Sequence, residues 1–204
     1  MKTNKMLLYF IILIKILIPN ENNRIITIGG CVTETVFKLG AGEQVVAVDQ
    51  SSTSPKSVEE LPQVGYIRAI SSEGILSMLP NKILTTTDIG PPNVIDQISK
   101  SGVELKIFNS PHNYNEILNL VEQIALFLDL EKEGNQIKDE MNMNKLQIDN
   151  IINQKESKKI IFFMNPTSNS YNAAGSKTRA DYLINYMGGI NIFSKEFEKY
   201  KKVT

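Results

Sequence analysis

The chain has 204 residues, 42% of them apolar, and its 22 basic side chains balance 22 acidic ones. That length and composition give a globular protein of one or two domains with genuine cores. Zero net charge excludes a broad electrostatic footprint for nucleic acid or an anionic membrane surface, so a ligand or partner must be recognised locally.

Lys2 and Lys5 precede an apolar run over residues 6–14, which resumes at Ile16, Leu17 and Ile18 beyond Lys15. A spanning helix needs about 20 apolar residues, so this run is too short and is interrupted by a charge. A basic start and a short apolar stretch have the layout of a secretory signal, although residues 19–23 contain no small-x-small cleavage pattern. Residues 1–23 are therefore expected to be a signal peptide or N-terminal anchor, and the protein to be exported.

After the leader, β-branched runs alternate with helical patterns. Residues 24–28 read as a strand ending at Gly29 and Gly30, and Thr33 as the opening of a helix through Leu39, stopped by Gly40 and Gly42. Residues 45–48 form a second strand with no polar interruption, as expected where both faces are covered. Residues 51–55 are a polar loop of turn formers. Residues 73–79 follow as a helix after Ser72, and residues 83–87 as a third strand. Pro91 and Pro92 start a helix through Ser101, ended by Gly102. Residues 103–108 are a fourth strand. Residues 115–128 are a strongly periodic helix, with Ile117, Leu118, Val121, Ile124, Ala125 and Leu128 on one face.

From Leu130 to Gln154 the apolar positions are sparse in a charged, amide-rich background. A helix of that length rises ~35 Å, and its thin apolar face suits a surface or a connection between lobes rather than a core. Residues 159–164 restart the β/α rhythm as a strand. A loop over 165–175, a helix over 178–187 and a short apolar strand over 190–193 complete it, followed by a charged stretch over 195–202. Alternation at this spacing predicts an α/β protein: two Rossmann-like parallel-sheet lobes joined by one long helix. The expected organisation is an N-terminal lobe over 24–128, a connecting helix over 129–156 and a partial C-terminal lobe over 157–204. Too few strands follow the long helix for a complete second lobe.

Phosphate and nucleophile motifs of the GxGxxG, GxxxxGK[ST] and GxSxG types are missing. The single cysteine, Cys31, cannot form an internal disulfide, and it lies too far past the apolar run to be a lipoprotein acceptor. It reads as a small buried residue at a strand-to-helix turn. One Cys and one His, His112, do not make a four-ligand zinc site, and no catalytic context supports a Cys–His pair. An enzyme is not expected.

The fragment Val64-Gly65-Tyr66-Ile67-Arg68 reads as a loop, and in open α/β sheets ligand loops lie at the strand carboxyl ends. If extended, it presents Tyr66 and Arg68 on one side. Arg68 is able to favour the phenolate of Tyr66, a hard oxygen ligand for ferric iron, or to pair with a propionate carboxylate. On residue types alone, a packed tyrosine and a solvated arginine are the better reading.

The wider pattern changes that balance. Residues 24–42, the segments Val45-Val-Ala-Val-Asp49 and Ser51-Ser-Thr-Ser-Pro55, and the stretches 64–76 and 174–181 resemble the periplasmic haem-binding proteins of bacterial ABC importers. These belong with siderophore- and cobalamin-binding relatives whose two lobes are joined by one long helix. The Gly-Tyr-x-Arg segment followed by Ser-x-Glu-Gly (Ser71 to Gly74) points to the haem branch. The resemblance implies a haem carrier, expected to be monomeric, that captures ferric haem in the cleft between two lobes and delivers it to the transmembrane subunits of an ABC permease. It implies Tyr66 as the axial iron ligand, Arg68 as its hydrogen-bonding or propionate partner, and Glu73 as a contact to the permease. Tyr171, on the loop 169–173, would stack on the porphyrin. Met164 and His112 are second ligands by chemistry only, with His112 on the loop after the fourth strand. The family's second lobe continues beyond the pattern found here, so that lobe is expected to be truncated. Alternatives are a ferric-siderophore or corrinoid binder of the same class, a truncated remnant without function, and a small α/β enzyme using Cys31 or His112.

Overall fold

The computed structural model describes residues 23–153, 156–167 and 170–203. The expected signal or anchor lies outside these residues, except for Asn23 at its end. The chain divides into two compact units. One comprises the residues up to Ser110 with Gln123–Gly134, the other Pro111–Glu122 with the residues from Asn135 onward.

The first unit is built on a four-stranded parallel sheet. Its strands are β1 (Ile25–Thr27), β2 (Val45–Val48), β5 (Lys82–Thr86) and β6 (Glu104–Phe108), in the order β2-β1-β5-β6. β1 and β5 are central, and their runs Ile25–Thr27 and Ile83–Thr86 are buried throughout, as expected for strands covered on both faces. Helix α1 (Gly30–Lys38) follows β1 and buries Val32, Thr33, Thr35 and Val36. It begins three residues earlier than the sequence suggests. Thr33 does not cap it: its hydroxyl donates instead to Thr27 Oγ1 at 2.8 Å and shares a 2.7 Å hydrogen bond with Ser52 Oγ. Helix α2 (Ser72–Leu76) is capped by Ser71, whose Oγ accepts from the Gly74 N–H. Helix α3 (Pro92–Ser99) opens on a proline, which suits a first-turn position whose N–H has no partner. The sheet, α2 and α3 enclose one apolar cluster that includes Ile26, Ile28, Ile75, Ile83, Val94 and Ile98.

Between β2 and α2 the chain makes a two-stranded hairpin, β3 (Gly65–Tyr66) with β4 (Ala69–Ile70). The loop expected there is thus a tight antiparallel turn with Ile67 and Arg68 at its tip.

Helix α4 (Tyr114–Phe127) and helix α5 (Glu131–Ile152) each run through both units. Of the described side chains and glycines in α5, only Gly134 is buried, as its sparse apolar pattern suggests. Its Leu146, Ile148 and Ile151 are exposed.

The second unit pairs β7 (Lys159–Ile160) in parallel with β10 (Ile190–Asn191). It also holds an antiparallel sheet of order β11-β9-β8, with β8 (Phe163–Thr167), β9 (Ser170–Ala174) and β11 (Tyr200–Val203). Only two residues separate β8 from β9, too few for the crossover that parallel pairing requires. The single strand read over 159–164 is thus split at Ile161 and Phe162, and the loop read over 165–175 largely becomes strand. Helix α6 (Arg179–Tyr186) is capped by Thr178, whose Oγ1 accepts from the Asp181 N–H at 3.0 Å. Among the described residues no helix is long and apolar enough to cross a membrane.

Candidate functional site

The Tyr66 hairpin is fastened at the carboxyl ends of the parallel strands. The Val64 N–H donates to Val48 O at 2.9 Å and the Val48 N–H to Pro62 O at 3.0 Å, so the segment extends the β2 edge. The Gln50 N–H donates to Gly65 O at 2.8 Å. On the β5 side, the Gly90 N–H donates to Ile67 O at 2.9 Å, and Gly90 O accepts from the Ile70 N–H at 3.2 Å. Gly65 has φ +107°, a conformation that L side chains avoid, which fits glycine at the entry to the turn.

Burial alternates along this segment. Val64, Ile67 and Ile70 belong to the apolar cluster of the first unit, whereas Tyr66 is 46% exposed and Arg68 and Ala69 face solvent. Ile67 reaches the end of β1, where a Cβ added to Gly29 would meet its Cδ1 at 3.2 Å. Each fully buried aliphatic side chain contributes roughly 1.5–3 kcal/mol relative to exposure. The hairpin is therefore held by apolar burial and backbone bonds, while the Tyr66 ring stays exposed.

Two carboxylates flank the hairpin, and the sequence signalled neither. Asp49, just after β2, is fully buried. Its Oδ1 accepts from the Gly29 N–H at 2.8 Å and from Ser52 Oγ at 2.6 Å, and its Oδ2 from the Ser51 N–H at 3.0 Å and Ser51 Oγ at 2.6 Å. Four donors satisfy a carboxylate that would otherwise be costly to bury. They also lock the loop 49–52 whose Gln50 holds Gly65. Asp88, just after β5, lies 4.0 Å from the Arg68 guanidinium and accepts a short hydrogen bond from Ser110 Oγ. A single carboxylate after a strand is too common a signal to have marked either residue as a partner of the hairpin.

Arg68 sits at the turn, not on an extended strand, so the shared side expected for Tyr66 and Arg68 does not follow from pleating. Glu73 is exposed in the first turn of α2, where a negative side chain also suits the positive helix end. Cys31 stands at the expected strand-to-helix turn but is exposed, because it lies on the outer side of the first turn of α1. Its reading as a buried small residue is corrected.

In the second unit, Tyr171 stands on β9 rather than on a loop and is 43% exposed, its ring 5.0 Å from that of Phe163. Met164 stands on β8 opposite Asn172 and is exposed. His112 is exposed on the stretch after β6, as expected, with its backbone N–H donating to Glu116 Oε2 at 2.6 Å.

A second polar cluster joins three helices of this unit. Lys145 and Asp149 on α5 form an ion pair at 2.5 Å, and the Lys145 ammonium lies 5.7 Å from the Tyr114 ring centroid and 5.2 Å from that of Tyr186. The Tyr186 hydroxyl donates to Asp149 Oδ1 at 3.2 Å, and the Tyr182 hydroxyl accepts from the Tyr114 N–H at 3.0 Å. Burial pushes the hydroxyls of Tyr114 and Tyr186 above the ordinary tyrosine range. Lys145, Asp149, Tyr114, Tyr182 and Tyr186 each have at least one polar partner within the unit, which gives the cluster a structural role.

Comparison with known proteins places this architecture. The profile of the family described as periplasmic binding protein matches residues 25–204. Among solved structures, the periplasmic heme-binding protein RhuT from Roseiflexus sp. RS-1 superposes with a TM-score of 0.85 at 29% identity, over 89% of this chain and 70% of that one. A vitamin B12-binding protein of Vibrio parahaemolyticus is 23% identical over 181 residues, 89% of this chain and 65% of that protein. An ABC transporter substrate-binding lipoprotein of Bacillus subtilis is 24% identical over 179 residues, 85% of this chain and 56% of that protein. The chain thus spans a little over half to just under two thirds of these curated relatives. With a parallel α/β core, a hairpin set at its strand ends and a family profile running from β1 to the last residue, the chain belongs to the periplasmic binding protein family.

Proposed function

We propose that this chain is a periplasmic carrier of ferric haem that delivers its ligand to an ABC-type permease. Tyr66 serves as the iron ligand, and Arg68 pairs with the phenolate or with a propionate. Tyr171 offers a ring for the porphyrin face, and Glu73 offers a carboxylate to the permease. The observation that carries this reading is the hairpin, which buries Val64, Ile67 and Ile70 while leaving Tyr66 and Arg68 exposed at the strand carboxyl ends. An exposed phenol on a scaffold already held in place by other residues is suited to binding a ferric centre without reorganising the fold. The likeness to a solved heme-binding protein at 29% identity supports the same ligand.

A haem titration followed by absorbance tests it. Wild type should give a saturable shift of the Soret band, and Tyr66→Phe a different spectrum with weaker binding. Identical spectra and affinity for both would remove Tyr66 as the ligand.

The likeness to a vitamin B12-binding protein favours a second reading, a corrinoid carrier. A corrinoid needs no anionic tyrosine, so saturable cobalamin binding that is indifferent to Tyr66→Phe, together with no haem binding, would select it.

A further inference from the structure

We propose that Asp88 is a specificity-determining residue: its carboxylate pairs with Arg68, and a ligand carboxylate must displace it. The inference rests on the haem reading above.

The two partners are mounted differently. Asp88 lies two residues past β5 and is fastened by Ser110 Oγ, which itself lies two residues past β6 and also bonds Thr86 Oγ1 at 3.3 Å. The Ser110 N–H further donates to Thr87 Oγ1 at 3.1 Å. The carboxylate is therefore fixed to the rigid ends of two paired strands, and its side chain is only 32% exposed. Arg68 sits at the hairpin tip with its side chain 67% exposed. It approaches Asp88 with one terminal nitrogen, 4.0 Å from Oδ1, too far for a bidentate fork. An ion pair so exposed and so loosely set holds weakly. The arginine is the movable member, and a ligand carboxylate that engages it bidentately forms the stronger contact.

Two consequences follow for selection. A ligand with free carboxylates gains Arg68 by exchange, whereas one whose carboxylates are blocked gains nothing and leaves Arg68 with Asp88. The fixed negative charge of Asp88 also opposes any anion that approaches without capturing the guanidinium. Asp88 thus lowers affinity for every anionic ligand a little while confining useful binding to those that reach Arg68.

The test compares ferric haem with ferric haem dimethyl ester, whose two propionates are blocked, on wild type and Asp88→Asn. Asparagine keeps the shape and can still accept the Ser110 hydroxyl, and Asp88→Ser serves if that variant does not fold. At low ionic strength, Asp88→Asn should tighten haem by about two- to fivefold, the range of an exposed ion pair, and the gain should shrink as salt is added. Its affinity for the dimethyl ester should not change. A gain of equal size for both ligands, or no gain for haem, would overturn the assignment while leaving the haem reading intact. If wild type binds neither porphyrin, the haem reading fails and this inference falls with it. A purely structural role for Asp88 would move thermal stability and both affinities together.

Discussion

The two units hold together by different means. In the first, the central strands of a parallel sheet are buried on both faces, with Ile25, Ile26, Ile83 and Leu84 wholly out of solvent. In the second, the run Ile160, Ile161, Phe162, Phe163 and Met164 remains between one third and one half exposed, and three helices are tied by the Lys145–Asp149 pair and its tyrosines. Apolar burial provides a rigid platform for the Tyr66 hairpin. Polar and aromatic contacts leave the second unit more sensitive to pH and salt.

The largest expected effect tests that contrast directly. Ile83→Ala removes a wholly buried branched side chain from the first unit and should cost about 2–5 kcal/mol in denaturant unfolding. Phe163→Ala, on the exposed strand of the second unit, should cost under about 1 kcal/mol. Comparable losses would show that the exposed strip is buried in solution, and the contrast would be wrong.

A smaller effect is expected at Asp49. Asp49→Asn replaces one acceptor oxygen by a donor facing either Gly29 and Ser52 or Ser51, and should cost about 1–3 kcal/mol. Amide hydrogen exchange should locate the loosening in the loop 49–52 and at the hairpin fastened to Gln50. Protection unchanged at the hairpin would show that apolar burial of Val64, Ile67 and Ile70 holds it alone.

The smallest effect is a pH dependence of the second unit. The hydrogen bond from Lys145 holds the Asp149 carboxyl below the ordinary carboxylate range, with help from the Tyr186 hydroxyl. Because the folded value is lowered, this contribution is present above about pH 4 and is lost as pH falls through the folded value. Asp149 in turn raises the Lys145 ammonium, whose contribution is intact below about pH 10 and is lost as pH rises further. The raised hydroxyls of Tyr114 and Tyr186 act in the same alkaline direction, since the folded state keeps their protons. Thermal melts across pH should therefore fall at both ends, and Asp149→Asn should flatten the acid limb. An unchanged acid limb would show that the pair contributes nothing.

Much of the first unit was legible because its signals are local. Uninterrupted β-branched runs, Pro91–Pro92 before a helix and glycine stops after others place β1, β2, β5, β6 and α3 to within a residue or two. The second unit was harder. Residues 195–202 read only as a charged tail, yet Tyr200–Val203 pairs with β9, a partner some 30 residues upstream that no local pattern reveals. Thr33 reads as a cap because threonine favours that position, but a distant Ser52 and Thr27 claim its hydroxyl. Tyr171 reads as a loop residue because its neighbours are Asn and Ser, and only pairing with β8 and β11 makes it a strand.

By itself the sequence determined the α/β class and the strands and following helices of the first unit's sheet, since periodicity and turn chemistry act over a few residues. Tertiary structure alone decided that the Gly-Tyr-x-Arg segment is a hairpin, that Ile67 is its buried anchor and that Arg68 meets Asp88. The last two contacts join residues some 20 to 40 positions apart, and they form only once the strand ends are brought together by packing.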